Sequence, residues 1–110
     1  MRLCSIASGN CIYVGSEAAH LLVDVGISGR RTEAGLKELE LSGNDIDGIL
    51  ITHEHADHIQ GLGVISRKYE IPIYATAGTI KAMKNCSGLA KVDPGLFHEV
   101  EEDRKFIIKD

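Results

Sequence analysis

The 110-residue chain carries 12 basic and 16 acidic side chains, a formal net charge of −4, with 44% hydrophobic and 25% charged residues. That is the composition of one soluble globular unit able to bury a core, without a low-complexity segment, and the charge argues against a protein that holds nucleic acid by electrostatics alone. No apolar run suits a signal sequence or a bilayer span, so the expected location is cytoplasmic; three cysteines without paired metal spacing fit reduced thiols better than a disulfide framework.

In chain order, residues 2–7 and 11–14 read as strands around Ser8-Gly9-Asn10, a turn by composition. Residues 15–19 form a second turn that returns the chain into a strand at His20–Val23, so the start is an antiparallel meander. Ser28 can cap a helix running to Leu41 with Leu36 and Leu39 inward, and Gly43 ends it. The Gly-bounded run Ile49-Leu50-Ile51 makes residues 48–52 a short buried strand. Ile59, Leu62 and Ile65 recur every three residues, which predicts a helix beginning near Asp57 or His58 and running to about Tyr69. A strand at residues 71–75 follows, then a short helix over residues 76–85 with Ile80 and Met83 inward, and residues 106–110 read as a last strand. Strands alternating with helices imply βαβ units, hence an α/β fold with a mixed sheet flanked by helices. In such sheets ligands gather at the carboxyl ends of strands, where both Asp24 and His53 fall.

One stretch departs from this periodic pattern. Thr52-His53-Glu54-His55-Ala56-Asp57-His58 follows the apolar strand and holds three of the chain's five histidines together with two carboxylates. Neither solvation nor core packing asks for that clustering, but metal binding does. Neutral imidazole is the commonest metal ligand, and a carboxylate adds the negative charge and oxygen donor that a borderline divalent cation accepts. His53 and His55, two apart in extended backbone, point the same way, while Asp57 and His58 leave the first turn of the helix. Four such closely tethered side chains cannot easily surround one small ion, so two neighbouring sites are expected, one served by His53 and His55 and the other by Asp57 and His58. Glu54 and Ala56 face away, and Glu54 takes no catalytic role. Asp24 is either a turn-former before Gly26 or a carboxylate that holds the histidine loop and accepts a ring N–H from a ligand. Thr52 either hydrogen-bonds locally or packs at the strand end. His20 reads as a surface or cross-strand residue, His98 has no ligand-like neighbours, and Cys4 and Cys11 fit buried, inert thiols on neighbouring strands.

The stretch Thr52 to His58, preceded by Leu21-Leu22-Val23-Asp24-Val25-Gly26, resembles the metallo-β-lactamase-fold hydrolase superfamily. Ser5-Ile6-Ala7-Ser8-Gly9-Asn10, Asp24-Val25-Gly26-Ile27-Ser28-Gly29, and His58-Ile59-Gln60-Gly61-Leu62-Gly63-Val64 with Arg67-Lys68-Tyr69 are similar to the bacterial WalJ (YycJ) branch. The resemblance implies a four-layer αβ/βα sandwich with a dinuclear metal centre between its sheets, in a branch regarded as DNA-acting nucleases. It places Asp24 under the metal loop. The superfamily's complete domain is about twice this length, within the range of one large α/β domain, so residues 1–110 are expected to be its N-terminal half. The resemblance then assigns a third histidine, a bridging carboxylate and a final histidine to sequence beyond Asp110, not to His98. The Ser8-Gly9-Asn10 loop is shorter than its counterpart in relatives, and substrate contacts from that loop are not carried over.

The expected function of the complete protein is metal-dependent hydrolysis by a DNA-acting exonuclease or phosphodiesterase, with two divalent ions activating water. Asp57 is the catalytic candidate, a ligand that also orients the attacking water; His53, His55 and His58 are the other ligands, and Asp24 and Thr52 support them. Zinc is the default ion because imidazole dominates the ligands, with manganese the alternative. DNA is the expected partner, without a membrane or an obligate protein partner. The pairs Arg30-Arg31 and Arg67-Lys68 read as solvated helix surface as readily as DNA contacts. The alternatives are a small-molecule ester, thioester or lactam hydrolase on the same scaffold, and a non-catalytic fragment.

Overall fold

Short runs of alternating residues at the start of the chain pair with one another before any helix intervenes. In the computed structural model, which describes residues 2–6, 10–53, 56–86, 89 and 92–101, with the backbone alone at residues 2, 56 and 57, strands β1 (Arg2–Ser5), β2 (Ile12–Gly15) and β3 (His20–Val23) form an antiparallel meander. The β2–β3 turn is closed by Ser16, whose N–H donates to the Ala19 carbonyl at 2.8 Å while its Oγ accepts from the Ala18 and Ala19 amides. From β3 onward each return to the sheet passes through a helix: α1 (Gly29–Glu38), β4 (Gly48–Leu50), α2 (Ala56–Ile59), α3 (Leu62–Tyr69), β5 (Ile73–Ala75), α4 (Ala77–Lys84) and β6 (Phe97–Glu99). β4, β5 and β6 add in parallel, giving a six-stranded mixed sheet in the order β1-β2-β3-β4-β5-β6.

Register gives the sheet two unequal faces, because side chains alternate along each strand. Cys4, Tyr13, Leu22, Ile49, Ile73 and Phe97 lie side by side across the six strands and face the core. Leu36 of α1, Leu62 and Ile65 of α3 and Met83 of α4 complete that core with no measurable exposure. The other face carries Leu3, Ile12, Val14, Leu21, Val23, Leu50 and Tyr74, all at least partly exposed, with Leu3 70% exposed. Among the described residues no helix is long and apolar enough to cross a membrane.

Local chemistry sets the starts of α1 and α4. Ser28 Oγ accepts the Arg31 amide at 3.2 Å, and Thr76 Oγ1 accepts the Thr79 amide at 3.4 Å, both as N-caps. α1 stops at Glu38, three residues short of the expected Leu41, with Glu40 in left-handed conformation at φ 62°. Gly43, expected to terminate α1, instead opens a 3₁₀ turn at Gly43–Asp45. Its reason for being glycine is a close approach, since a Cβ there would lie 2.2 Å from the ring of Tyr69. The continuous helix expected to Tyr69 is two pieces, because the His58 carbonyl accepts the Val25 amide at 2.8 Å and the Gly61 amide donates to the Val25 carbonyl at 2.9 Å. β6 was not anticipated: Phe97–Glu99 is an edge strand with one polar-exposed end, too short for a clear period. The strand expected at residues 106–110 lies outside the described residues.

α1 and α3 are also clamped at the surface. Glu33 accepts hydrogen bonds from Lys68 Nζ, at 2.8 Å, and from the Tyr69 hydroxyl, which together hold its carboxyl below the usual range. Lys68 is therefore occupied in a helix-to-helix contact. His20 meets the cross-strand expectation, with its ring stacked on Tyr13 at 5.8 Å and its Nδ1 hydrogen-bonded to the Tyr13 hydroxyl. His98 is exposed on β6 and stacks on Tyr74 at 5.1 Å.

Gly43→Ala is expected to destabilise the chain by about 1–3 kcal/mol through overpacking against Tyr69. Urea denaturation checks this, and an unchanged midpoint would show that the ring moves aside freely.

Candidate metal centre

The parallel strands β3 and β4 run side by side and release the chain at the same edge of the sheet, so residues just past them converge. Asp24 follows β3, and its amide donates to the Leu50 carbonyl of β4 at 2.8 Å. Its backbone then turns through φ 62°, a left-handed conformation that aspartate tolerates better than most residues. The residue is 6% exposed. Burial of a carboxylate is costly unless its oxygens find donors, and here three are supplied. Oδ1 accepts the Thr52 amide at 2.8 Å; Oδ2 accepts the Thr52 hydroxyl at 2.7 Å and His58 Nδ1 at 2.8 Å. Asp24 thus stands in a turn and its carboxylate also bonds to both Thr52 and His58, so Thr52 is a hydrogen-bonding partner as well as a strand-end residue.

These bonds fix the imidazoles chemically as well as in space. A His58 ring that donates from Nδ1 to Asp24 carries the lone pair of its neutral form on Nε2. The Thr52 hydroxyl hydrogen is committed to Asp24, so its oxygen accepts from His53 Nδ1 at 3.3 Å, leaving the His53 lone pair on Nε2 too. The two rings lie 5.1 Å apart between centroids, tilted by 43°. His53 is exposed and His58 half-buried, at the end of the sheet that ligands favour. Two oriented imidazoles over a hydrogen-bonded carboxylate suit a borderline divalent cation.

Of the four expected ligands, His53 and His58 are thus brought together. Glu54, His55 and the side chain of Asp57 lie outside the described residues. Among the described residues no group of three His, Cys, Asp or Glu side chains stands as a metal site. Two further residues adjoin these side chains: Cys11, expected as a buried, inert thiol, and Val25, which the sequence did not single out. Cys11 is fully buried, and its thiol is pushed up to about 12, first by burial and then by the negative charge of Asp24. Val25 is the second, hydrogen-bonded on both sides to the turn that carries His58. The glycine in His58-Ile59-Gln60-Gly61 was the available signal for that close backbone approach.

The model of the metallo-beta-lactamase superfamily matches residues 6–107, which include the whole histidine motif. The chain belongs to the metallo-beta-lactamase superfamily. Within that superfamily it is 47% identical over 104 residues to an exodeoxyribonuclease YycJ of Bacillus anthracis, covering 94% of this chain and 39% of that protein. It is 46% identical over 99 residues to an exodeoxyribonuclease WalJ of Streptococcus pneumoniae, covering 90% of this chain and 37% of that one. The WalJ/YycJ resemblance read from the motifs therefore holds over most of the chain, while the chain spans about two fifths of the length of these relatives. A solved B3 metallo-beta-lactamase with an active-site glutamic acid superimposes with a TM-score of 0.67 at 20% identity, over 74% of this chain and 32% of that one, a likeness of fold. Membership in this superfamily implies divalent metal ions.

Asp24→Ala removes the acceptor of three donors and is expected to cost about 1–3 kcal/mol in urea denaturation, with loss of the His58 Nδ1–H proton resonance. Retention of both would mean the loop holds itself. Cys11 sets an alkaline limit. Its folded thiol stays protonated to about 12, whereas the unfolded thiol ionises near 9.0, so its contribution is full below that lower value and is lost as pH rises toward the upper one. Stability measured between these limits should fall less in Cys11→Ala than in the unaltered chain, and parallel losses would remove the assignment.

Proposed function

We propose that this chain supplies the metal-binding strand exits of a metal-dependent exonuclease or phosphodiesterase that acts on DNA. The metal reading is carried by one observation, the buried Asp24 carboxylate that turns His58 and, through Thr52, His53 toward a common site. The DNA reading is supported by the 46–47% identity to two exodeoxyribonucleases. His53, His55, Asp57 and His58 would hold two divalent cations, zinc by ligand type with manganese as the alternative. Such ions lower the pKa of water and offset charge that builds on a phosphodiester during in-line attack.

The chain's own residues have separate tasks in this reading. Asp24 keeps His58 in the tautomer that presents Nε2 and holds Thr52, and with it the start of the histidine loop, against β3. Asp57 is both ligand and the carboxylate that orients the attacking water. The half-exposed apolar face of the sheet, with Leu3, Ile12, Leu21 and Leu50, faces the remaining layers of a longer domain, of which residues 1–110 form one part. With a net charge of −4 the chain offers no general basic surface, and bound cations would supply the positive charge for a phosphate. DNA is the partner, with no obligate protein partner.

The test is release of label from a 5′-labelled DNA duplex by the whole gene product, with and without EDTA. Cleavage that EDTA stops, and that Asp57→Ala abolishes while the circular dichroism spectrum is kept, supports the reading. Cleavage by Asp57→Ala at the unaltered rate refutes the role of Asp57. Turnover of an ester or lactam without DNA cleavage would make the protein a small-molecule hydrolase.

A further inference from the structure

The turn that carries His58 is held by backbone bonds as well as by the His58–Asp24 contact, and it has room for only one residue type at its end. Val25 donates to the His58 carbonyl at 2.8 Å and accepts from the Gly61 amide at 2.9 Å, so one residue of the β3–α1 loop is bonded to both ends of the four-residue turn. Gly61 closes the contact. A Cβ on it would lie 2.3 Å from the Ile27 carbonyl oxygen, 2.8 Å from the Gly29 nitrogen and 2.9 Å from the Ser28 carbonyl carbon. All three are backbone atoms, held by the start of α1, whose cap is Ser28. They cannot swing away as a side chain can. The need for glycine is not conformational freedom, because Gly61 has φ −97° and ψ 0°, angles open to other residues.

We infer that Gly61 is a positioning residue for His58. Its missing side chain sets the distance between the β3–α1 loop and the helical turn, and that distance places His58 Nδ1 2.8 Å from Asp24 Oδ2. Any larger residue lifts the turn, and the ring leaves the carboxylate that orients it. Asp24 sits one residue before Val25, so the loop that would be pushed is the one that also presents the acceptor. Gly61 therefore acts on the metal site through His58 without touching it. Only the metal readout below rests on the proposed ligand role of His58; the ring readout needs no metal.

The experiment compares Gly61→Ala with Gly43→Ala, which has an equally severe clash but against a side chain, Tyr69, of another contact. Two readouts are taken on the chain: the downfield Nδ1–H proton of His58 in metal-free NMR, and the affinity for zinc by competition with a chromophoric chelator. Gly61→Ala is expected to lose the His58 resonance and to bind zinc about 10- to 100-fold more weakly, while Gly43→Ala loses stability and keeps both. A Gly61→Ala chain with the wild-type resonance overturns the inference, and so does loss of that resonance in folded Gly43→Ala. Loss of the resonance without any zinc binding in the unaltered chain leaves Gly61 as the group that places the ring and removes only its ligand role. Should Gly61→Ala fail to fold, hydrogen exchange in the unaltered chain decides. Protected Val25 and Gly61 amides that open together with the His58 Nδ1–H support the inference, and amides that exchange at unprotected rates while that proton persists overturn it.

Discussion

The buried carboxylate of Asp24 is the constraint on which the functional edge of this chain depends. A charge with 6% exposure is tolerated only where donors replace water, and the three donors it has come from the exit of β4 and from the helix that follows. Satisfying one side chain thus requires β3, β4 and α2 to hold a fixed relation. The same charge reaches beneath the site, where it joins burial in keeping the Cys11 thiol protonated.

Around that group the backbone does the remaining positioning. The Val25 amide and carbonyl pair with His58 and Gly61, and the α2–α3 break occurs where those bonds replace helical ones. A continuous helix would satisfy the same atoms internally and would carry His58 on a rigid rod. Breaking it lets the first turn dock against the β3–α1 loop while Leu62 and Ile65 of α3 still fill the core. The sheet shows a similar division of labour. Its helix-covered face is fully packed, and its other face keeps Leu3 and Ile12 exposed, which accords with a chain spanning 37–39% of the length of its exodeoxyribonuclease relatives.

Much of this was legible in the residues. The turn over residues 15–19 placed β3 at His20–Val23, the Ser28 hydroxyl marked the start of α1, and the Gly48 run marked β4. Each of these signals is local, written in neighbouring side chains. The misses were tertiary in origin. Gly43 reads as a helix terminator but is small because Tyr69 lies over it; the period of Ile59, Leu62 and Ile65 is helical on both sides of a break that only Val25 explains. β6 is three residues long and is defined by its pairing with β5 rather than by its composition.

The sequence by itself determined the superfamily, because the Thr52 to His58 motif and its flanking runs are local patterns that depend on no fold. It also determined the α/β class, through strands and helices of alternating period. Only the tertiary structure decided what Asp24 does. Aspartate before a glycine is an ordinary turn signal, and its bonds to Thr52 and His58 span 28 and 34 residues of chain, a distance over which no local pattern carries information. Parallel pairing of β3 with β4 closes that gap, and with it a residue in a turn becomes the common acceptor of Thr52 and His58.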